Sequence, residues 1–258
     1  MNRKPVLVKA LFTVEICAIK IINMATDFNF SNELKGQIAL VTGGTKGAGK
    51  AIANRLHAAG ATVIITARNK PEQDDAQLHF IAADLSQRQG TAAVVSEILK
   101  KFGRLDILVN NLGGSDTPGG GFAALSEEDW EAAINTNLMA PVRLDRGLLP
   151  QMLERGEGVI IHIASIQGKL PLYESTLPYA AAKAGLINYS KGLSNEVAAK
   201  GVRVLTVSPG WIMTESSERM MERISKSSGI TIAEAAKSVM TALGGIPMGR
   251  PAQPEEVA

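Results

Sequence analysis

The sequence predicts an α/β protein, a doubly wound parallel sheet in three layers with helices on both faces. Three observations predict it. Short apolar, β-branched runs alternate with segments of helical periodicity between residues 37 and 207. The first run ends in a glycine-rich turn that opens a helix, the arrangement that sets a phosphate-bearing ligand on a helix N-terminus. A later run, Ile160–Ile163, gives out at Ser165, and a loop then leads to an alanine-rich helix from about Tyr179.

Composition narrows the function classes. The 258 residues, 45% hydrophobic and 20% charged with 25 glycines, describe a soluble globular protein with many tight turns. A net charge of +2 is too small for a nucleic-acid surface. The single cysteine, Cys17, excludes an internal disulfide framework and fits a reducing, cytoplasmic compartment. His57, His79 and His162 are scattered, so no metal is expected and each is read as structural.

Residues 1–33 read as an N-terminal extension to one domain spanning 34–258. Its first 23 residues resemble a signal peptide at a glance, with early basic residues and an apolar middle. Glu15 and Lys20 interrupt that run, no small-residue cleavage site follows, and the stretch is too short and charged to span a bilayer. The simplest expectation is that Met24 is the natural start and that no membrane is involved.

Gln37–Thr42 is the first strand. In the turn after it, Gly43 permits the tight bend, Gly47 lets backbone amides approach a pyrophosphate, and Gly49 allows close helix–strand packing. The spacing is T-G-x-x-x-G-x-G rather than G-x-G-x-x-G, and the loop alone reads equally as a plain turn. A helix (51–60) leads to a strand at Thr62–Thr66, then Ala67 and Arg68. A carboxylate here would bond the ribose 2′-hydroxyl of NAD, whereas an arginine accommodates a 2′-phosphate. Arg68, joined by Lys46, therefore points to NADP(H), with NAD(H) as the alternative.

A strand at Leu78–Ala82 precedes Asp84-Leu85, and a helix over Gln87–Phe102 leads to the strand Asp106–Asn110. The loop Gly113–Gly121 carries five glycines and a proline and borders the expected site. A helix over 126–153 opens with a capping pattern, Ser126 to Asp129, and contains Asn137. A final strand, Val202–Val207, runs into Pro209-Gly210-Trp211-Ile212-Met213-Thr214, and residues 215–248 form an amphipathic segment containing methionines.

Tyr179 and Lys183 stand four apart on a helix and so share a face. A free tyrosine hydroxyl has a pKa of about 10 and is a poor base. A neighbouring ammonium favours the phenolate and suits the pair to acid–base work, with Ser165 placed to hold a substrate oxygen. The plainer alternative is a core tyrosine beside a solvated lysine, since Y-x-x-x-K recurs by chance.

Together these residues resemble the short-chain dehydrogenase/reductase family, a Rossmann-type fold, from roughly Leu34 to Ala258. Thr42-Gly43-x-x-x-Gly47-x-Gly49 is similar to its cofactor loop, Asp84-Leu85 to its adenine-contacting pair, and Asn110-Asn111-Leu112-Gly113 to its N-N-A-G motif. Asn137, Ser165, Tyr179 and Lys183 match its catalytic tetrad, and Pro209-Gly210-x-x-x-Thr214 its nicotinamide segment. The resemblance implies an oxidoreductase moving a hydride between nicotinamide and a ketone or secondary alcohol. Tyr179 would exchange the proton, Lys183 would lower the tyrosine pKa and bind the ribose, Ser165 would polarise the carbonyl, and Asn137 would hold a relay water. Gly43, Gly44, Thr45, Lys46, Gly47 and Ala48 would cradle the cofactor phosphates; Asn110, Gly113, Pro209, Gly210, Ile212 and Thr214 would complete its site.

Gly114, Gln167, Tyr173, Trp211 and Met213 are the expected substrate lining, suited to a small or medium carbonyl compound. A homodimer or homotetramer packed through helices 126–153 and 179–200 is also implied. Two departures stand out. Leu112 replaces a small residue, and the sequence stops where family members continue into a seventh strand, which implies a C-terminally truncated sheet with an exposed edge. The competing reading is a fragment or pseudoenzyme that binds dinucleotide or a partner without turnover.

Overall fold

A computed structural model describes residues 31–71 and 76–258. The readings of residues 1–30, among them Cys17 and the start at Met24, lie outside the described residues. Strands β1 (Ile38–Thr42), β2 (Thr62–Ala67), β3 (His79–Ala82), β4 (Ile107–Asn110), β5 (Gly158–Ile163) and β6 (Val202–Val207) form one sheet in the order β3-β2-β1-β4-β5-β6. Every pairing is parallel. The order reverses between β1 and β4, and α/β sheets bind ligands beyond the strand ends at such a switch point.

The helices are α1 (Gly47–Ala58), α2 (Arg88–Phe102), α3 (Glu127–Ile134), α4 (Ala140–Arg155), α5 (Leu177–Val197), α6 (Glu215–Ser228) and α7 (Ile232–Ala242). One core joins Leu40, Leu108 and Ile160 of the sheet to Val94 and Ile98 of α2 and to Leu144, Leu148 and Met152 of α4. The other joins Ala39, Val41, Val63 and Ile65 to Ile52 and Ala53 of α1. Alternate residues of one strand thus feed opposite cores, which is why the strands read as continuous apolar runs.

The expected sheet of six strands is present among the described residues, with β6 at one edge and Leu205 and Val207 exposed on it. Two helical expectations needed correction. The expected helix 126–153 is α3 and α4 joined by a π-helical turn at Asn135–Met139, and it runs on to Arg155. The 215–248 segment divides into α6 and α7 at Gly229, whose φ of +66° ends α6.

Register explains where the core gives way to the site. Leu40 aligns with Ile64 and Leu108, Leu108 with Ile160, and Ile160 with Val204; all five side chains are buried. Two residues further along the same face, Thr42 aligns with Thr66, and Asn110 with His162 and then Thr206. A polar row crosses the sheet immediately above an apolar one. Beyond β6, Ala252 forms a parallel bridge with Ile212: its amide donates to Trp211 O at 2.9 Å and its carbonyl accepts from Met213 N at 2.8 Å. The short 3₁₀ turn at Pro254–Glu256 then packs against α1.

Candidate active site

The glycine loop joins β1 to α1. Gly43 and Gly47 have φ of +65° and +52°, left-handed values that glycine adopts without strain. A Cβ on Gly49 would lie 2.2 Å from Gly43 O and 2.5 Å from Asn111 Nδ2. We expect Gly49→Ala to cost about 1–3 kcal/mol, the usual range for overpacking. A urea midpoint equal to that of the unmodified protein would show that the loop yields instead. Lys46, the N-cap of α1, provides no side-chain cap, and the first turn holds no acidic residue. The helix therefore presents uncapped amides and its positive dipole end to whatever lies above it.

What lies above is a cleft in two parts. One, of about 1010 Å³, is lined by Gly44, Thr45, Lys46, Lys50, Arg68, Lys70 and Glu215 among others. The second, of about 300 Å³, continues past Gly43, Lys46, Gly47 and Ala48 to Asn111, Leu112, Gly113 and Thr214. The structure thus brings the expected loop residues, Arg68, Gly113 and Thr214 to one groove. Glycine backbone, uncapped amides and four cations along it fit a dinucleotide carrying several phosphates.

Other expected cofactor residues turn their side chains elsewhere. Leu85 is core. Asp84 accepts from the amide and hydroxyl of Ser86 at 3.0 and 2.7 Å. Asn110 donates inward to Asp145 at 3.0 Å. Pro209 O accepts from Ile166 N at 2.9 Å, which joins the segment through Gly210 to the Ser165 loop.

The tetrad residues meet where the sheet ends. Lys183 is buried, and its ammonium donates to Ile163 O at 2.7 Å and lies 5.6 Å from the Tyr179 ring centroid. Burial disfavours its charged form and brings the amine down to about 8. Tyr179 departs from the expected lowering. Burial raises its hydroxyl above the ordinary value, and a hydrogen bond from the Ser165 side chain pulls only partly the other way. The Ser165 hydroxyl also accepts from Gln167 N at 3.1 Å.

Asn137 sits in the π-helical turn, fully buried. Its Oδ1 accepts from Gly114 N, and its Nδ2 donates to Gly114 O and Ala133 O, all at 3.0 Å. Both ends of its carboxamide are thus engaged by protein partners. A Cβ on Gly113 would lie 2.7 Å from Asn137 Oδ1 and 2.9 Å from Lys183 Nζ, so glycine alone lets these groups converge.

The expected substrate lining is distributed unevenly. Gln167 accepts from the Thr176 hydroxyl, Tyr173 is exposed and donates to Glu174 at 3.2 Å, and the buried Trp211 Nε1 has no partner. Met213 is held at its amide by Ala252.

Thr42, Asn111 and Leu112 stand in the motifs of the sequence reading, but their structural roles escaped it, as did Lys50 and Lys70 altogether. Thr42 Oγ1 accepts from the amides of Asn111 and Leu112 at 2.9 Å each, and Asn111 Nδ2 donates to Thr42 O at 2.9 Å, tying the ends of β1 and β4 together. Leu112 packs against the first core. Lys50 and Lys70 join Lys46 and Arg68; the available signal was their spacing, one helical turn after Lys46 and two residues after Arg68.

A family model described as short chain dehydrogenase matches residues 37–225. The chain belongs to the short chain dehydrogenase family. It is 33% identical to the 3-oxoacyl-(acyl-carrier-protein) reductase of Thermotoga maritima over 87% of this chain and 88% of the relative. It is 36% identical to the acetoacetyl-CoA reductase of Allochromatium vinosum, over 86% and 88% respectively. Among solved structures, the L-sorbose reductase of Gluconobacter frateurii complexed with NADPH and L-sorbose superposes with a TM-score of 0.79 at 32% identity, covering 88% of each chain. As a short chain dehydrogenase the protein is an oxidoreductase, and among the described residues no helix is long and apolar enough to cross a membrane.

Proposed function

We propose that this short chain dehydrogenase is an NADP(H)-dependent reductase of a small or medium ketone, in a cytoplasmic homodimer or homotetramer. The observation that carries the reading is the continuity of one groove. Arg68 stands at one end, and Gly113 at the other touches the space shared by Asn137 and Lys183. The sorbose reductase structure holds NADPH, and the curated relatives are named as reductases of oxoacyl compounds, which supports both cofactor and class.

When bound, the cofactor supplies the hydride that the protein itself lacks. The Ser165 hydroxyl orients the substrate oxygen toward Tyr179. Tyr179, kept neutral by burial, donates its phenolic proton to that oxygen as negative charge develops there. Lys183 is largely protonated at neutral pH yet titrates near 8, so it supports reprotonation of the phenol. Asn137 fixes Gly114 and with it the loop that closes the site. A neutral phenol is the form that reduction needs, and this favours that direction.

Arg68 is the proposed partner of the 2′-phosphate. Arg68→Ala is expected to weaken NADPH binding by roughly 10- to 100-fold, the worth of a charge-assisted hydrogen bond, and to leave NADH binding nearly unchanged. Equal losses for both cofactors would sink the assignment. The reading as a whole is tested by fluorescence titration with NADPH and NADH, light scattering for mass, and NADPH consumption with oxoacyl thioesters and ketoses. A discrete oligomer that binds NADPH and reduces one of them supports it. Failure to bind either cofactor favours the non-catalytic alternative, and a monomeric mass removes the oligomer.

A further inference from the structure

The proposed mechanism leaves a buried polar cluster unused. Asp145 of α4 and His162 of β5 are shielded from solvent, as are Ser190 of α5 and Asn110 of β4. Asp145 Oδ1 accepts from Asn110 Nδ2 at 3.0 Å; its Oδ2 accepts from Tyr189 OH at 2.9 Å and faces His162 Nε2 at 3.0 Å. On the other side of the ring, His162 Nδ1 lies 3.0 Å from Ser190 Oγ, which accepts from Thr206 Oγ1 at 2.7 Å. Thr206 spends its proton on Ser190, so Ser190 is left to donate to His162 Nδ1. The Nε2–H then donates to Asp145, and the donors run one way from β6 to a carboxylate on α4.

The trio has the residue types of a hydrolytic triad, but burial denies it a substrate. Its position gives it another use. Asn110 and His162 are register partners at the ends of β4 and β5. Residues after Asn110 lead to Gly113 and Gly114, and the residue after His162 is Ile163, whose carbonyl holds the Lys183 ammonium, with Ser165 two positions on. Asp145, by binding both Asn110 and His162, clamps the two strand ends from which the proposed proton-transfer groups hang. A buried carboxylate with several donors fixes such geometry strongly, because leaving any of these groups unpaired is costly.

We propose that Asp145 and His162 are positioning residues: they hold the ends of β4 and β5 so that the Ile163 carbonyl sets Lys183, and the following turn sets Ser165, against Tyr179. The inference rests on the proposed reductase activity for its kinetic consequence, but not for its geometric one.

The test uses the full chain and four variants: His162→Leu, Asp145→Asn, His162→Gln, which keeps a donor toward Asp145, and Tyr189→Phe, which removes one donor and keeps the ring. Two readouts are taken. The first is kcat and KM with NADPH and a ketone that the unmodified protein reduces. The second is the titration of Lys183 by carbon-13 NMR of ε-labelled lysine, assigned by its loss in Lys183→Met, which needs no turnover. His162→Leu and Asp145→Asn are expected to lower kcat about tenfold or more with KM within about threefold. They are also expected to displace the Lys183 midpoint by about half a pH unit or more. His162→Gln should recover most of both. Folded variants with kcat within about twofold and an unmoved midpoint, whatever their thermal stability, overturn the proposal. Should His162→Leu or Asp145→Asn fail to fold, Tyr189→Phe decides, since it strips Asp145 of one donor: a displaced Lys183 midpoint supports the proposal and an unmoved one overturns it. Should the unmodified protein reduce no ketone, the activity reading fails by itself, and the lysine midpoint still decides the positioning role.

Discussion

Tyr179→Phe is expected to lower ketone reduction by roughly 10²- to 10⁴-fold, the span associated with a positioned acid or base, and to leave NADPH affinity within about threefold. The phenyl ring keeps the packing of a half-buried side chain on α5, so the loss falls on the proton rather than on the fold. With burial holding the hydroxyl above its ordinary value, the unmodified protein meets a ketone as a neutral phenol with a proton to give. Phenylalanine has none, and the Ser165 hydroxyl loses its partner as well. Single-turnover kinetics at saturating NADPH separate this from a binding defect. A variant that keeps a tenth of the turnover would mean that another group delivers the proton.

Lys183→Met is expected to cost about 10²-fold in turnover and to change how stability depends on pH. The lysine amine, ordinarily near 10.5, titrates at about 8 in the folded chain because burial penalises its charge. Between those values the unfolded chain binds more protons, so stability rises with pH through this window. Below about pH 8 both states are protonated and the full penalty of burying the ammonium is present. Methionine removes that penalty at every pH, although it also leaves the Ile163 carbonyl without its donor. The stability of the variant relative to the unmodified protein is therefore expected to fall steadily from pH 8 to 10. Urea unfolding at several pH values reads this directly, and parallel curves for the two proteins would remove Lys183 as the source.

Much of this arrangement was legible from residues alone because it is written in local code. Apolar runs and the glycines at 43, 47 and 49 give strand, turn and helix in place, and Ser126 with Asp129 announces α3 through a complete capping box. The four-residue spacing of Tyr179 and Lys183 forces a common helix face. What stayed hidden depends on groups far apart in the chain. Thr42 with Asn111 and Asp145 with His162 are individually ordinary polar residues; the pairing of β1 with β4 brings the first two together, and the packing of α4 on the sheet the second two. The π-helical turn at Asn137 was also invisible: Asn135, Thr136 and Asn137 are weak helix formers, but propensity does not tell a π turn from an α turn, and the Asn137 side-chain bonds to Gly114 and Ala133 reveal what the irregular turn accommodates. The direction of the Tyr179 shift needed the depth of the site, which spacing does not encode.

The bridge from Ala252 to Trp211 and Met213 has a consequence for synthesis. Translation makes β1 and α1 early, yet the 3₁₀ turn that packs on α1 is made some two hundred residues later. Contacts so distant in the chain carry a large entropic cost of closure and form late. The sheet core can therefore assemble before Ala252 pins the 211–213 segment that leads into Thr214 of the groove, so that end of the groove sets last. Pulsed hydrogen exchange during refolding should show the amides of Met213 and Ala252 gaining protection together, after those of β1 and β4; protection in step with those strands would contradict this order.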